Sequence, residues 1–497
     1  MKTVILKSLF FIILIGFISS CEEFLEEIPT DRLTTVNFYN NEEDAQAAVY
    51  ATYNQLYNIY ERLMFLVSEL PCDVEKNGRG MPNQYLQNLE FLRHTPENTF
   101  VTQMWQYNYT GINRANSAIN AIPDINMDES LKTQYIAETR FLRALFYFNL
   151  VQFFGDVPIV TELKSLEDAL VERSPVNDVY DLIIEDLTFA EDNLPVSYNE
   201  KNNGRVTKGA AKILLGKVYL THHSYNEAVN KLAEVINNES DYGYGLQENF
   251  HDNWVPATED GVEDVLSINF AEPPLNGNGA MQLQGPKYSV EGGAGIGTPG
   301  GYEADIPTEE LYNLYSDDDE RKAVTFQTVF ENVITGEIFH STIPIFTKYF
   351  EEGETNANNS DCDLYILRYA DALLMYAEAL NEIGNTTEAL TYLNRVRERA
   401  FNNTDHNYSG LSQQEFREAV WLERHLEFAQ EGHRFFDLVR TGRFIDRMRE
   451  HSQIEAALAE SNKTEIANNI KEYMILMPIP QHEIDINPKL VQNPGWK

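Results

Sequence analysis

Apolar residues recur at the spacing of an amphipathic helix in two distant parts of this chain. In the first part they occupy one helical face, at Ala211, Leu214, Leu215, Val218 and Tyr219. Because steps of three and four residues follow the α-helical period, this pattern predicts a helix with one buried side. After a gap of seven residues, Glu227 opens a second amphipathic segment that carries Leu232 and Val235.

The same pair of patterns returns nearer the carboxyl end. One face comprises Ala372, Met375, Tyr376, Ala379 and Leu380, and the partner segment begins at Glu388 and carries Leu393 and Val396. Paired helices of this spacing are typical of tetratricopeptide-like units, which must stack to bury their apolar faces. Further helices are therefore expected, over residues 44–57, 141–154, 179–193 and 415–440. Segment 141–154 is apolar nearly all round and is predicted near the centre, ending at Gly155-Asp156-Val157-Pro158.

Two stretches lack this periodicity and divide the chain. Residues 71–96 are rich in Gly, Asn, Gln and Arg, and residues 242–350 hold 13 of the 27 glycines and only short β-like runs. Long irregular segments in compact proteins are usually functional or disordered, and the aromatic residues here favour order. We predict a mainly α fold: a superhelix of tetratricopeptide-like helix pairs with a loop-rich capping region that contains a few short strands.

The amino terminus has the pattern of an export leader. Lys2 and Lys7 precede an apolar run over residues 9–18, which is shorter than the roughly 20 residues that a membrane-spanning helix needs. Small residues then lead to Cys21, as in a bacterial lipobox, where the thiol is acylated. Ordinary secretion with an incidental Cys21 is the alternative. The predicted organisation is a leader (1–20), an amino-terminal helical region (21–240), a loop-rich ligand-binding region (241–360) and a carboxyl-terminal helical region (361–497).

Charge and known motifs exclude several classes of function. The formal net charge is −39, which repels phosphate backbones and makes nucleic-acid binding improbable. Residues 295–300 spell G-x-G-x-x-G but lack a preceding strand and a following helix, so they predict a loop rather than a dinucleotide site. The acidic runs 317–320 and 361–363 lack the spacing of a calcium loop, so no metal or cofactor is predicted. Lipidation would use only Cys21, so Cys72 and Cys362 would keep their side chains unmodified. Whether these two form a disulfide stays open, and the unpaired state is favoured.

Nine short sequence blocks follow one another from the leader to the last residues. They are Phe24-Leu25-Glu26-Glu27-Ile28-Pro29-Thr30, Asn37-Phe38-Tyr39, Glu138-Thr139-Arg140-Phe141-Leu142-Arg143-Ala144, Phe154-Gly155-Asp156-Val157-Pro158, Arg205-Val206-Thr207-Lys208-Gly209-Ala210-Ala211, Leu367-Arg368-Tyr369-Ala370-Asp371, Ala377-Glu378-Ala379, Glu431-Gly432-His433-Arg434-Phe435-Phe436-Asp437-Leu438-Val439-Arg440 and Pro478-Ile479-Pro480. Each block is weakly specific alone, whereas together and in this order they are highly specific. In this order they resemble the SusD/RagB family of outer-membrane nutrient-binding lipoproteins.

This resemblance implies a cell-surface lipoprotein, anchored in the outer membrane and facing outward, that binds a nutrient and delivers it to a TonB-dependent transporter. It implies no catalysis and no cofactor, and its ligands are mostly glycans and sometimes peptides. By position, the resemblance places the aromatic ligand platform on Tyr85, Tyr288 and Tyr302. The alternative for each tyrosine is that it packs its own loop.

A sugar ring presents a flat CH face and a rim of hydroxyl groups, which aromatic and polar side chains match respectively. The first irregular stretch supplies Asp73, Asn77 and Arg79 as polar candidates beside Tyr85. No Trp adjoins Tyr85, Tyr288 or Tyr302 in the sequence, a departure from glycan-binding relatives that leaves the ligand class open between glycan and peptide. Two classes of protein besides a receptor stay open: a secreted glycosidase and a purely structural repeat scaffold.

Tryptophan and arginine residues elsewhere are assigned to structure. Trp105, Trp421 and Trp496 are predicted core residues, and Trp254 is undecided. Arg140 and Arg143 are expected to be buried ion-pair partners of acids such as Glu138. The arginines between residues 395 and 449 interleave with glutamates, which predicts a salt-bridged helix surface rather than an anion site.

Overall fold

The computed structural model describes residues 38–497 except 79–82, 163–167, 169, 200–203, 272–276, 286–301, 332–335, 337, 352–353, 355–357 and 459–464. Its α-helices, in chain order, are α1 (Glu42–Tyr60), α2 (Leu63–Ser68), α3 (Gln84–Glu90), α4 (Thr99–Ala121), α5 (Glu129–Phe154), α6 (Val176–Asn193), α7 (Lys208–Thr221), α8 (Tyr225–Ile236), α9 (Glu239–Tyr242), α10 (Ala280–Gln284), α11 (Glu309–Leu314), α12 (Arg321–Thr325), α13 (Tyr369–Glu382), α14 (Thr386–Phe401), α15 (Gln413–Glu427), α16 (Arg434–Arg440), α17 (Phe444–Leu458), α18 (Glu465–Asn469) and α19 (Gln481–Ile486). Short 3₁₀ helices cover Ile122–Asp124, Phe250–Trp254 and Glu472–Ile475.

Strands are short and pair in twos. They are β1 (Glu75–Asn77), β2 (Asp264–Ile268), β3 (Asp305–Pro307), β4 (Phe326–Glu331), β5 (Ile338–Phe346) and β6 (Leu364–Arg368). β1 pairs with β3, β2 with β6 and β4 with β5, each antiparallel. The predicted mainly α fold with a few short strands in its loop-rich part is therefore confirmed.

Both helix pairs predicted from periodicity form as expected. α7 packs on α8, and α13 packs on α14, with the predicted apolar faces buried except for Tyr219, which is half-buried. Local sequence marks their ends: the Thr207 side chain caps α7 by accepting from the Ala210 amide, and Ser412 and Glu415 form a capping box at α15. The other predicted segments also lie in helices, namely α1, α5, α6 and the pair α15 and α16.

The helices stack into a continuous series. α1 packs on α4, α4 on α5, α5 on α6, α6 on α7, α8 on α13, and α13 on α15. α5 lies at the centre of this stack, since nearly every residue from Phe141 to Phe154 is buried. Gly155 ends it with a φ of 71°, a conformation that glycine adopts at little cost.

The loop-rich region is an insertion between two stacked helix pairs. α8 and α13 contact each other although the chain leaves the helical stack between them. β2 lies early in this insertion and β6 immediately precedes α13, and the two strands pair with Asp264 opposite Arg368. This ladder closes the base of the insertion and holds it against the helical frame.

A buried ionic network joins the insertion to the carboxyl-terminal helices. Among the described residues it connects five basic side chains with five acidic ones: Arg321, Lys348, Arg368, Arg397 and Arg399 with Glu263, Asp319, Glu423, Glu427 and Glu431. All ten are buried. The prediction of a salt-bridged surface over residues 395–449 is thus wrong for these groups, because tertiary contacts from residues 263, 321 and 368 cover them.

The remaining sequence assignments have mixed outcomes. Arg143 is buried as predicted, but it pairs with Asp186 at 2.7 Å, whereas Glu138 pairs with Arg205. Trp105 and Trp496 are buried, Trp421 is half-buried, and Trp254 proves to be a core residue. Cys72 and Cys362 are free buried thiols. Within the described ranges, no helix combines the length and apolar character needed to cross a bilayer.

Candidate functional site

The two irregular stretches of the sequence meet at the β1–β3 ladder. Glu75 lies opposite Pro307 at one end of this ladder, and Asn77 lies opposite Asp305 at the other. The Asn77 side-chain amide donates to the Ala304 carbonyl at 2.9 Å across a sequence separation of 227 residues. Residues 71–96 and 242–350 therefore contribute to one shared surface.

Gly78 allows the two chains to approach closely at this surface. Its backbone amide donates to the Ala304 carbonyl at 3.2 Å. A Cβ atom at this position would overlap the Glu303 carbonyl oxygen. Because glycine has no side chain, it lets the backbones pass where another residue would separate them.

Backbone hydrogen bonds also fix the segment that carries Tyr302. The amides of Tyr302, Glu303 and Ala304 each donate to a carbonyl within residues 282–285, at 2.8–2.9 Å. These residues comprise the end of α10 and the turn after it. Tyr302 is thus attached to α10 by its own amide and to β1 through its neighbours, which leaves its main chain little freedom.

Tyr85 and Tyr302 present partly exposed rings on this fixed frame. Asn83 caps α3 by accepting from the Tyr85 amide at 2.8 Å, and the Tyr85 carbonyl accepts from Asn98 at 3.0 Å. The tyrosines are 40 % and 37 % exposed respectively. An exposed ring on a rigid backbone can cover the flat face of a ligand with little loss of conformational entropy. Two other predicted site residues, Arg79 and Tyr288, lie outside the described residues.

The two described polar candidates near Tyr85, Asn77 and Asp73, lie in different environments. Asn77 uses its amide nitrogen within the ladder, and its side-chain oxygen has no hydrogen-bond partner among the described residues. Asp73 is fully buried, and Arg434 binds both of its carboxylate oxygens at 2.6 Å. Although burial opposes ionisation, the Arg434 guanidinium holds the pKa of Asp73 well below its usual range. Asp73 thus stabilises the fold and is not available to a ligand.

Three buried carboxyl groups, which sequence reasoning missed, lie behind the ladder: Glu69, Glu75 and Asp305. Burial raises the pKa of Glu69 to about 7 and that of Asp305 to about 6. Burial, and then the adjacent Asp305 and Glu69 carboxyls, raise the pKa of Glu75 well above its usual value. Burial thus favours the protonated form of these three carboxyl groups, which lie where the two irregular stretches meet.

The described part of this surface presents aromatic rings. It exposes the rings of Tyr85 and Tyr302, whereas the unpartnered side-chain oxygen of Asn77 is buried. Within residues 38–497, leaving out the undescribed segments, no group of three or more His, Cys, Asp or Glu side chains is arranged to hold a metal ion. Fold and site together define a helical-repeat scaffold with an inserted, loop-built candidate binding surface.

Comparison with known proteins identifies the family. The family model described as "SusD family" matches residues 337–496, and the model described as "Starch-binding associating with outer membrane" matches residues 23–220. The chain is similar to the SusD family over both of these regions, which confirms the resemblance found in the sequence.

Relatives cover nearly the whole chain. A SusD-like protein of Formosa agariphila is 29 % identical, with 97 % of each chain covered. The solved structure of a laminarin-binding SusD-like protein superposes with a TM-score of 0.77 at 29 % identity, covering 92 % of this chain and 100 % of the other. Surface glycan-binding protein A from Bacteroides uniformis superposes with a TM-score of 0.77 at 25 % identity, covering 91 % and 99 %. Both of these solved structures carry the names of binding proteins.

Proposed function

We propose that this protein is a lipid-anchored receptor on the outer face of the outer membrane that captures a glycan and delivers it to a TonB-dependent transporter, without catalysis. The observation that carries the proposal is the pair of partly exposed tyrosines, Tyr85 and Tyr302, on two loops that backbone hydrogen bonds hold together. A pre-ordered aromatic platform suits the CH face of a sugar ring. The glycan-binding names of two structural relatives support the same ligand class.

The ligand-binding surface in this proposal comprises Tyr85, Tyr302 and Asn77 among the described residues, with Arg79 and Tyr288 proposed from sequence. Two partly exposed tyrosine rings favour a ligand whose rings stack on them, with modest affinity per ring. A peptide is the other outcome that the binding experiment distinguishes.

A binding screen tests the ligand class. We would apply a purified Cys21→Ser chain, which cannot be acylated, to arrays of polysaccharides and of peptides, and measure affinities by isothermal titration calorimetry. The expected result is binding to a glycan without release of reducing ends. Binding to peptides alone, or turnover of the bound glycan, would contradict the proposal.

Substitution of Tyr302 tests the platform itself. Tyr302→Ala removes a ring that makes no side-chain hydrogen bond among the described residues, so it should leave the fold intact. We expect glycan affinity to fall at least about tenfold, equivalent to about 1.4 kcal/mol. Tyr302→Phe, the matched control, keeps the stacking face and should bind within about threefold of the wild type. Equal affinity of the alanine variant would remove Tyr302 from the site.

The anchor and the transporter require separate experiments in the native bacterium. Radiolabelled palmitate should enter the wild-type protein and not the Cys21→Ser variant, which should also leave the outer-membrane fraction. A TonB-dependent transporter should co-purify with the wild-type chain from detergent-solubilised outer membranes. Absence of label on the wild-type protein, or purification without any transporter, would contradict the corresponding part of the proposal.

A further inference from the structure

A second aromatic surface lies on α1, apart from the β1–β3 ladder. Tyr50, Tyr53, Asn54 and Tyr57 occupy positions i, i+3, i+4 and i+7 of this helix, so they share one face. That face forms one wall of a cleft of 480 Å³. This volume is within the range of roughly 300–1,000 Å³ that is typical of small-molecule sites.

The opposite wall comes from the chain that follows β2 and from the turn before α7. Phe270 lies beside Tyr57, with ring centroids 5.8 Å apart. Gly204, which also lines the cleft, has a φ of +81°, and a side chain there would overlap the Asn269 side chain. The two elements of this wall therefore pack closely against each other at Gly204 and Asn269.

Buried hydrogen bonds hold the base of the cleft rigid. The Tyr53 hydroxyl donates to Glu138 at 2.9 Å and accepts from the Val206 amide at 3.0 Å. Arg205 forms an ion pair with the same Glu138 carboxylate. Because the positive and negative charges are paired with each other, the base presents little net charge to a ligand.

Apart from Arg205, which is paired with Glu138, the described groups that line the cleft are neutral. Tyr50 is 43 % exposed and Asn54 is exposed as well. The hydroxyl groups of Tyr50 and Tyr57 and the side-chain amide of Asn54 make no hydrogen bond to any other described residue. Flat ring faces beside free hydroxyl and amide groups match the CH face and hydroxyl rim of a saccharide. The net charge of −39 of the chain further disfavours an anionic ligand.

The cleft adjoins the element that supports Tyr302. The end of α1 contacts the residue before α10, since a side chain at Gly279 would meet Glu61 and Arg62. The Gln282 carbonyl of α10 accepts the Tyr302 amide. One short helix therefore connects the two aromatic surfaces.

We propose that the cleft on α1 is a second binding site for a neutral saccharide, which engages another segment of the same polymer. The proposal rests on the proposed function, because it assumes a glycan ligand. Two sites on one polymer raise the apparent affinity, since the second binding event becomes intramolecular. The gain applies only to chains long enough to reach both sites.

The test uses a Tyr50→Ala, Tyr57→Ala double variant, with a Tyr50→Phe, Tyr57→Phe variant as its matched control. The probes are laminarin, soluble starch and any array polysaccharide that binds the wild-type chain more tightly. We expect the alanine variant to lose at least about tenfold in affinity for the polymer, and the phenylalanine variant to stay within about threefold. Thermal unfolding followed by circular dichroism checks that both variants fold.

Each outcome of this test decides a different question. If the polymer binds and Tyr302→Ala weakens binding while the alanine double variant binds normally, the second site is refuted and the proposed function stands. If no glycan binds the wild-type chain, both proposals fail. If the double variant keeps its glycan affinity but no longer co-purifies with a transporter, the cleft is a protein interface and the saccharide proposal is wrong.

Discussion

Substitution of Glu427 by Gln would test whether the buried ionic network depends on charge balance. Glu427 is fully buried and contacts Arg321 at 2.9 Å, Arg368 at 3.0 Å and also Arg399. Glutamine has nearly the same size but carries no charge, so the variant leaves five basic side chains facing four acidic ones. The change therefore isolates charge from packing.

The expected loss of stability follows from the desolvation of these charges. Removing one partner of a buried ion pair typically costs about 3–5 kcal/mol, because the other charge stays buried without compensation. Each arginine in contact with Glu427 keeps another acid, such as Glu263 for Arg368 and Arg399. We therefore expect a loss near the lower end, about 3 kcal/mol, in the free energy of unfolding.

Urea unfolding followed by circular dichroism measures this loss. The matched control is Glu472→Gln, which breaks an exposed pair with Arg449 whose side chains are 78 % and 48 % exposed, and which should cost at most about 1 kcal/mol. A Glu427→Gln, Arg399→Gln double variant restores charge balance. It should be at least about 1 kcal/mol more stable than the sum of its single variants predicts. A loss below about 1 kcal/mol for Glu427→Gln, or strict additivity, would refute the reasoning.

Two further predictions concern the loops and the helical frame. The raised pKa of Glu75 means that the folded protein keeps a proton which the unfolded chain loses above about pH 4.5, so wild-type stability should fall with rising pH relative to Glu75→Gln. The expected change is about 1.4 kcal/mol per pH unit from about pH 5 up to the raised pKa of Glu75 in the folded protein, and a pH-independent difference between urea unfolding curves would contradict it. Gly111→Ala places a methyl group against the Phe146 ring where α4 meets α5, and should lower the free energy of unfolding by about 1–3 kcal/mol. The control is Gly245→Ala, because a methyl group there has ordinary spacing to its neighbours. Equal melting temperatures of the two variants would contradict the prediction.

The helical frame could be predicted because its signal is local. The apolar spacing from Ala211 to Tyr219 and from Ala372 to Leu380 records which face of each helix is buried, within two turns of the chain. The all-round apolar character of segment 141–154 likewise predicted its central position. Such patterns need no knowledge of distant residues, since a helix must bury its apolar side against some partner.

Other contacts were decided by tertiary structure, because they join residues that no local pattern relates. Asp73 lies in a polar stretch that suggested ligand binding, yet its partner Arg434 is 361 residues away. The glutamates among the later arginines suggested surface pairs at helical spacing, whereas Arg368 reaches Glu427 from 59 residues away and buries it. The cleft on α1 likewise depends on contacts between residues that are distant in sequence. The sequence predicted only a helix over residues 44–57, and the chain after β2, more than 200 residues later, turned one face of that helix into a walled site.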